Sequence, residues 1–152
     1  MKSNSFSTLD GKGLKIAIAA ARFNAELTDA LLADCEAGLR EAGVAASDIT
    51  SVRVPGSFEL PIAAEKLAGR KSYDAIICLG VIIKGETRHD HYIADAVANG
   101  LTRVALDHKL PVIFGVLTTE DKAQAEARSL GGHKKGYEAA MSAIETVRVL
   151  VS

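Results

Sequence analysis

Short apolar runs alternate with longer stretches of helical period along this chain, and the alternation predicts its elements. Lys15–Ala21 (KIAIAAA) is nearly all apolar and stops at Arg22-Phe23-Asn24, the length of one buried strand. From Glu26 to Ala42, the residues Leu27, Leu31, Cys35, Leu39 and Ala42 recur on one helical face, which ends at Gly43. Ile49–Val54 reads as a second strand closed by Pro55-Gly56-Ser57. Ser57 is placed to cap a helix there, and Pro61 falls where a first turn tolerates it. Ala75–Ile83 (AIICLGVII) is almost continuously apolar, as a strand covered on both faces would be. Lys84–Thr87 breaks it, and Ile93, Val97, Leu101 and Val104 then mark a long helix up to His108. Pro111 introduces a fourth strand, Val112–Leu117, and Thr118-Thr119 is the expected cap of a helix ending near Gly131-Gly132. Tyr137, Met141, Ile144, Val147 and Val151 form the stripe of a last helix.

Strands separated by crossovers long enough to be helical predict a parallel sheet with helices on both faces. The expected fold is therefore α/β, a single three-layer αβα domain over residues 15–152, with residues 1–14, which show no period, as an N-terminal arm. No internal repeat or low-complexity segment interrupts it. Ligands of such sheets bind at the carboxyl ends of the strands. That rule singles out Arg22–Asn24, Pro55–Glu59, Lys84–His91 and Thr118–Asp121 before any motif is considered. None of these carries a GxGxxG or GxxxxGK[ST] signature, which argues against dinucleotide and P-loop sites.

Composition narrows the partners. The chain has 152 residues, enough for one domain with a real core, and its 48% hydrophobic and 24% charged content excludes a disordered polymer. Lys and Arg number 18 against 19 Asp and Glu, so no basic excess exists to hold a nucleic-acid backbone. Aromatic residues make up 5% and Trp is absent, a poor inventory for stacking single strands. Cys35 and Cys78 lie in apolar stretches without a CxxC spacing and read as buried thiols of a reducing compartment. No apolar run approaches the ~18 residues of a membrane span, and Met1–Gly13 is polar, so a soluble, cytoplasmic protein is expected.

Several side chains at the strand ends carry chemistry. Phe23 can stack on a flat heterocycle or, more ordinarily, cover the end of the sheet as a core ring. Phe58-Glu59 adds a ring and a carboxylate, although a solvated Glu near a helix N-terminus is equally common. Gly85-Glu86-Thr87 precedes a helix whose free N–H groups and positive dipole end suit an anion. His89, in that first turn, suits proton transfer near neutral pH; the plain alternative is an exposed imidazole beside a cap. His89 and His91 point apart on a helix and have no third ligand placed by the sequence, so no metal is expected. Arg128, followed by Gly131-Gly132 and His133-Lys134-Lys135-Gly136, forms a basic hinge in which Arg128 can grip a phosphate or simply finish a helix.

Arg22-Phe23-Asn24, Pro55–Pro61 (PGSFELP), Gly80–Tyr92 (GVIIKGETRHDHY), Pro111–Thr119 (PVIFGVLTT) and the Arg128…Lys135-Gly136 hinge together resemble the lumazine synthase family, in register from about Lys15 to Val149. The resemblance implies a flavodoxin-like four-stranded parallel sheet. It implies condensation of 5-amino-6-(D-ribitylamino)uracil with 3,4-dihydroxy-2-butanone 4-phosphate to 6,7-dimethyl-8-ribityllumazine, the penultimate step of riboflavin biosynthesis, with no cofactor. By the same resemblance Phe23 stacks on the pyrimidine, and Ser57, Phe58 and Glu59 hold the ribityl chain and ring edge. Val81, Ile82 and Ile83 read the uracil edge through their backbone, and Gly85, Glu86 and Thr87 receive the phosphate with Arg128. His89 transfers protons, while Phe114, Lys135 and Arg128 belong to the side supplied by an adjacent subunit. The implied partners are small-molecule substrates, further copies of the chain in a homopentamer or a sixty-subunit icosahedral shell, and riboflavin synthase. Two departures stand out: His89-Asp90-His91 replaces a common His-Phe-acid sequence, and the Arg128–Lys135 stretch is about one residue short. The alternatives are a non-catalytic flavin- or lumazine-binding module, a protein whose main role is to form shells, and the archaeal-type riboflavin synthase. Thr87, His89 and Arg128 favour turnover over binding alone.

Overall fold

The computed structural model describes residues 9–151. The elements follow the apolar pattern: β1 Ile16–Ala21, α1 Ala25–Glu41, β2 Ile49–Val54, α2 Leu60–Gly69 and β3 Ala75–Ile83. After these come α3 His89–His108, β4 Val112–Thr119, α4 Lys122–Ser129 and α5 Lys135–Val151. All strands are parallel, in the order β2-β1-β3-β4, so β1 and β3 are central and β2 and β4 form the edges.

Alternation along the two central strands splits their side chains between two cores. Ile16, Ile18 and Ala20 of β1, with Ile77, Leu79 and Val81 of β3, pack under α1 and α5. Ala17 and Ala19, with Ile76, Cys78 and Ile82, pack under α2 and α3. Every residue of β1 is buried, which explains its near-continuous apolar sequence. The α/β three-layer expectation is met, and the helices that share a face touch one another. At the α1–α5 contact a Cβ on Gly136 would overlap the Leu31 carbonyl oxygen, so glycine sets how closely these two helices approach.

Two expected caps are corrected. Ser57 caps no helix: Ser57–Glu59 is a single 3-10 turn, α2 starts at Leu60, and no side chain caps it. Ser57 instead turns its hydroxyl toward β3, where Gly80 leaves space that a Cβ would fill. Thr118 and Thr119 are still in the strand, and Asp121 is the cap of α4, accepting from the Gln124 N–H at 2.8 Å. Thr119 Oγ1 donates to the Asp121 carbonyl at 3.0 Å and so shapes the same turn.

Residues 1–8 of the expected arm lie outside the described residues. Residues 9–14 lie against the domain: Leu14 is buried and Leu9 packs on the same core. The Arg148 guanidinium of α5 donates to the carbonyls of Asp10 and Lys12 at 2.9 and 3.0 Å.

Candidate active site

The β1–α1 crossover covers one face of the sheet and the next crossovers cover the other, so the topology reverses between β1 and β3. A crevice belongs at that switch point. One of about 530 Å³ opens there, between the exits of β1, β2 and β3 and the first turn of α3.

Its floor is the end of β3. Val81 and Ile82 are buried, Ile83 is half-buried, and all three line the crevice. The β1 exit supplies Phe23, which is 70% exposed and therefore not the core ring of the ordinary alternative. The β2 exit supplies Ser57, Phe58 and Glu59, with Phe58 largely exposed. On the far wall stand Gly85, Thr87 and His89. The Thr87 hydroxyl accepts from the His89 N–H at 3.4 Å, which brackets the start of a 20-residue helix. The N-cap residue Arg88 makes no side-chain cap bond, so beyond the His89 N–H held by Thr87 the donors at that end remain for a ligand.

Four of the expected site residues do not line the crevice: Glu86, whose neighbours Gly85 and Thr87 do, and Phe114, Arg128 and Lys135, which lie in other parts of the chain. Phe114 is 45% exposed on edge strand β4. The Arg128 guanidinium donates to the Gln124 carbonyl of its own helix at 3.0 Å, the duty a helix-end arginine normally has. Lys135 Nζ pairs with Glu138 at 2.8 Å. Conversely, Asn24, Pro55, Gly56 and Asp90, which fall in the strand-exit segments but carry no individual expected role, also line the crevice, as does Ile93. Their signal was position alone, at strand exits and on the first turns of α3, and Ile93 had already been accounted for as a member of a helical stripe.

His91 pairs with Asp95 at 3.2 Å along the helix, away from any joint role with His89. No group of three or more His, Cys, Asp or Glu side chains among the described residues is arranged to hold a metal ion. Both thiols are free and fully covered. Burial pushes the Cys78 thiol up to about 12, and burial, with Glu36 and Asp34 nearby, pushes Cys35 higher still. Neither is suited to act as a nucleophile near neutral pH.

Fold and crevice together define the class: a flavodoxin-like α/β protein with a small-molecule-sized cleft at the switch point of its sheet. Residues 13–151 match the family model described as 6,7-dimethyl-8-ribityllumazine synthase. A relative from Kineococcus radiotolerans, named 6,7-dimethyl-8-ribityllumazine synthase, is 48% identical over 145 residues, covering 93% of this chain and 88% of its own length. The chain belongs to the 6,7-dimethyl-8-ribityllumazine synthase family, and it is a transferase of riboflavin biosynthesis.

Proposed function

We propose that the crevice condenses 5-amino-6-(D-ribitylamino)uracil with 3,4-dihydroxy-2-butanone 4-phosphate, giving 6,7-dimethyl-8-ribityllumazine, phosphate and water. The observation that carries this assignment of the site is the meeting of an exposed ring, a carboxylate and an imidazole over the end of β3. Phe23 stacks on the pyrimidine, Glu59 accepts hydrogen bonds from ribityl hydroxyls, and Ser57 and Phe58 flank that chain. The polar edge of the uracil meets the backbone of Val81, Ile82 and Ile83.

The second substrate brings a dianion. The start of α3, with Gly85, Glu86 and Thr87 before it, offers N–H donors and the positive end of a dipole. The amine is already nucleophilic and the ketone electrophilic, so aligning them supplies much of the acceleration. His89 moves protons as the imine forms, water leaves and phosphate is eliminated.

Arg128, Phe114 and Lys135 complete this site from an adjacent subunit. Their separation from the crevice of their own chain supports that reading. The assembly is then a ring of five, able to build a sixty-subunit shell and to enclose riboflavin synthase, and it works in the cytoplasm. Among the described residues no helix is long and apolar enough to cross a membrane.

Two measurements test this. Purified protein mixed with both substrates should generate lumazine absorbance and fluorescence well above the spontaneous background; no excess would overturn the reaction. Rings formed from Phe23→Ala and Arg128→Ala chains together should show more activity than either variant has alone. Verified mixed rings without recovery would overturn the shared site.

A further inference from the structure

We propose that Asn24 is a positioning residue that sets the Phe23 ring over the crevice by fastening the exit of β1 to the end of β3. The inference rests on the reading of this crevice as the aminouracil site.

Asn24 follows the ring directly and holds φ 62° and ψ 49°, a left-handed conformation that side chains other than Asn and Asp adopt at greater cost. An Asn before a helix usually caps it with its side chain, yet this one makes no capping bond. Its amide reaches across the sheet instead, and Nδ2 donates to the Val81 carbonyl at 2.9 Å. That carbonyl has a reason to need a donor. β1 pairs with β3 only as far as Ala20 opposite Leu79, so Val81 lies beyond the last pair, and it is buried. Buried backbone oxygens are rarely left without a partner, and the Asn24 amide supplies one where the strand has ended.

The other side of the turn is held as well. The Arg22 and Phe23 N–H groups donate to the carbonyls of Val54 and Pro55 at 2.7 and 3.0 Å. The backbone that carries the ring is thereby tied to β2 on one side and, through Asn24, to β3 on the other. Packing does not hold the ring, because Phe23 is 70% exposed. The hydrogen bonds of its backbone and of its neighbour are what preorganise it, and a ring placed before the substrate arrives loses less freedom on binding.

The test is steady-state kinetics of Asn24→Gly. Glycine adopts the left-handed conformation freely, so the backbone folds while the amide is lost. The KM for the aminouracil should rise about three- to tenfold, the effect of ordering one side chain on binding, with kcat and the KM for butanone phosphate unchanged within about twofold. Because Asn24 acts through the ring, the same change in a Phe23→Ala background should add nothing further. An unchanged aminouracil KM in Asn24→Gly would overturn the inference, as would an effect that persists undiminished without the ring. A lower kcat together with a rise in both KM values would also overturn it, since that is a general structural defect. If wild-type protein formed no lumazine, the reading of the crevice and the inference would fall together. An active wild type with an unaltered Asn24→Gly would sink the inference alone.

Discussion

Replacing Gly136 with alanine sets two physical effects against each other. On helix propensity the change is favourable, by up to about 1 kcal/mol. In this fold the sign reverses. A Cβ at position 136 would overlap the Leu31 carbonyl oxygen and lie 2.9 and 3.0 Å from the Leu31 C and Cα. Carbon pairs prefer about 3.5–4.0 Å, so the gap is short by roughly 0.5–1 Å. The obstructing atoms are backbone within α1, and no side-chain rotation relieves them. The α1 and α5 helices must part, and a gap of that size forfeits about a quarter to a half of each contact's attraction. Overpacking of a core costs about 1–3 kcal/mol, and with backbone as the obstacle the upper part, about 2–3 kcal/mol, is expected. Urea unfolding followed by circular dichroism, at one fixed protein concentration, reads this directly. With a slope of about 2 kcal/mol per M, the midpoint should fall by about 1–1.5 M. Gly69→Ala is the control. Nothing lies within 4 Å of a Cβ at this last residue of α2, so the change should be neutral or stabilising by about 0.5 kcal/mol. A Gly136→Ala protein unfolding at or above the wild-type midpoint would refute the reasoning.

Three further outcomes are expected. His89→Ala should slow turnover about 10–100-fold while leaving lumazine affinity nearly unchanged, because alignment survives and only proton transfer is lost; full rate across neutral pH would reduce His89 to a surface group. Arg128→Ala should raise the KM for butanone phosphate by an amount worth about 2–4 kcal/mol in the completed site, and unaltered kinetics for that substrate would assign Arg128 to its helix end alone. The folded state keeps the Cys78 proton from the ordinary thiol value of 9.0 up to about 12, whereas the unfolded chain releases it. The resulting stability is whole below about pH 9 and is lost as pH rises toward 12, so the wild type should lose ground to Cys78→Ala by about 1.4 kcal/mol per pH unit in that range. Parallel unfolding curves for the two proteins would rule this out.

The strands were legible because β1 and β3 are buried on both faces, which removes polar residues and leaves bounded apolar runs. Helix faces were legible for the complementary reason, one covered side. Caps were not. Ser57 and Thr118-Thr119 are residue types that cap helices, but they also end strands and fill tight turns, and local composition does not separate these uses. The crevice walls at Phe23, Ser57–Glu59, Gly85, Thr87 and His89 followed from the strand-end rule. The Asn24 amide escaped notice because its acceptor, Val81, is 57 residues away and becomes a neighbour only when β1 and β3 pair. Phe114, Arg128 and Lys135 were assigned to the site by resemblance, and in their own chain they lie away from the crevice.

Edge strand β4 has a consequence for how the protein must be handled. Its sequence, VIFGVLTT, contains no charge and no proline, and among the described residues only β3 pairs with it. An uncharged edge of this length offers free backbone donors and acceptors to any other strand. Refolding at high protein concentration therefore becomes a race between folding of the chain and edge-to-edge aggregation. Speed of folding, more than depth of the native well, then decides the yield of correctly folded protein.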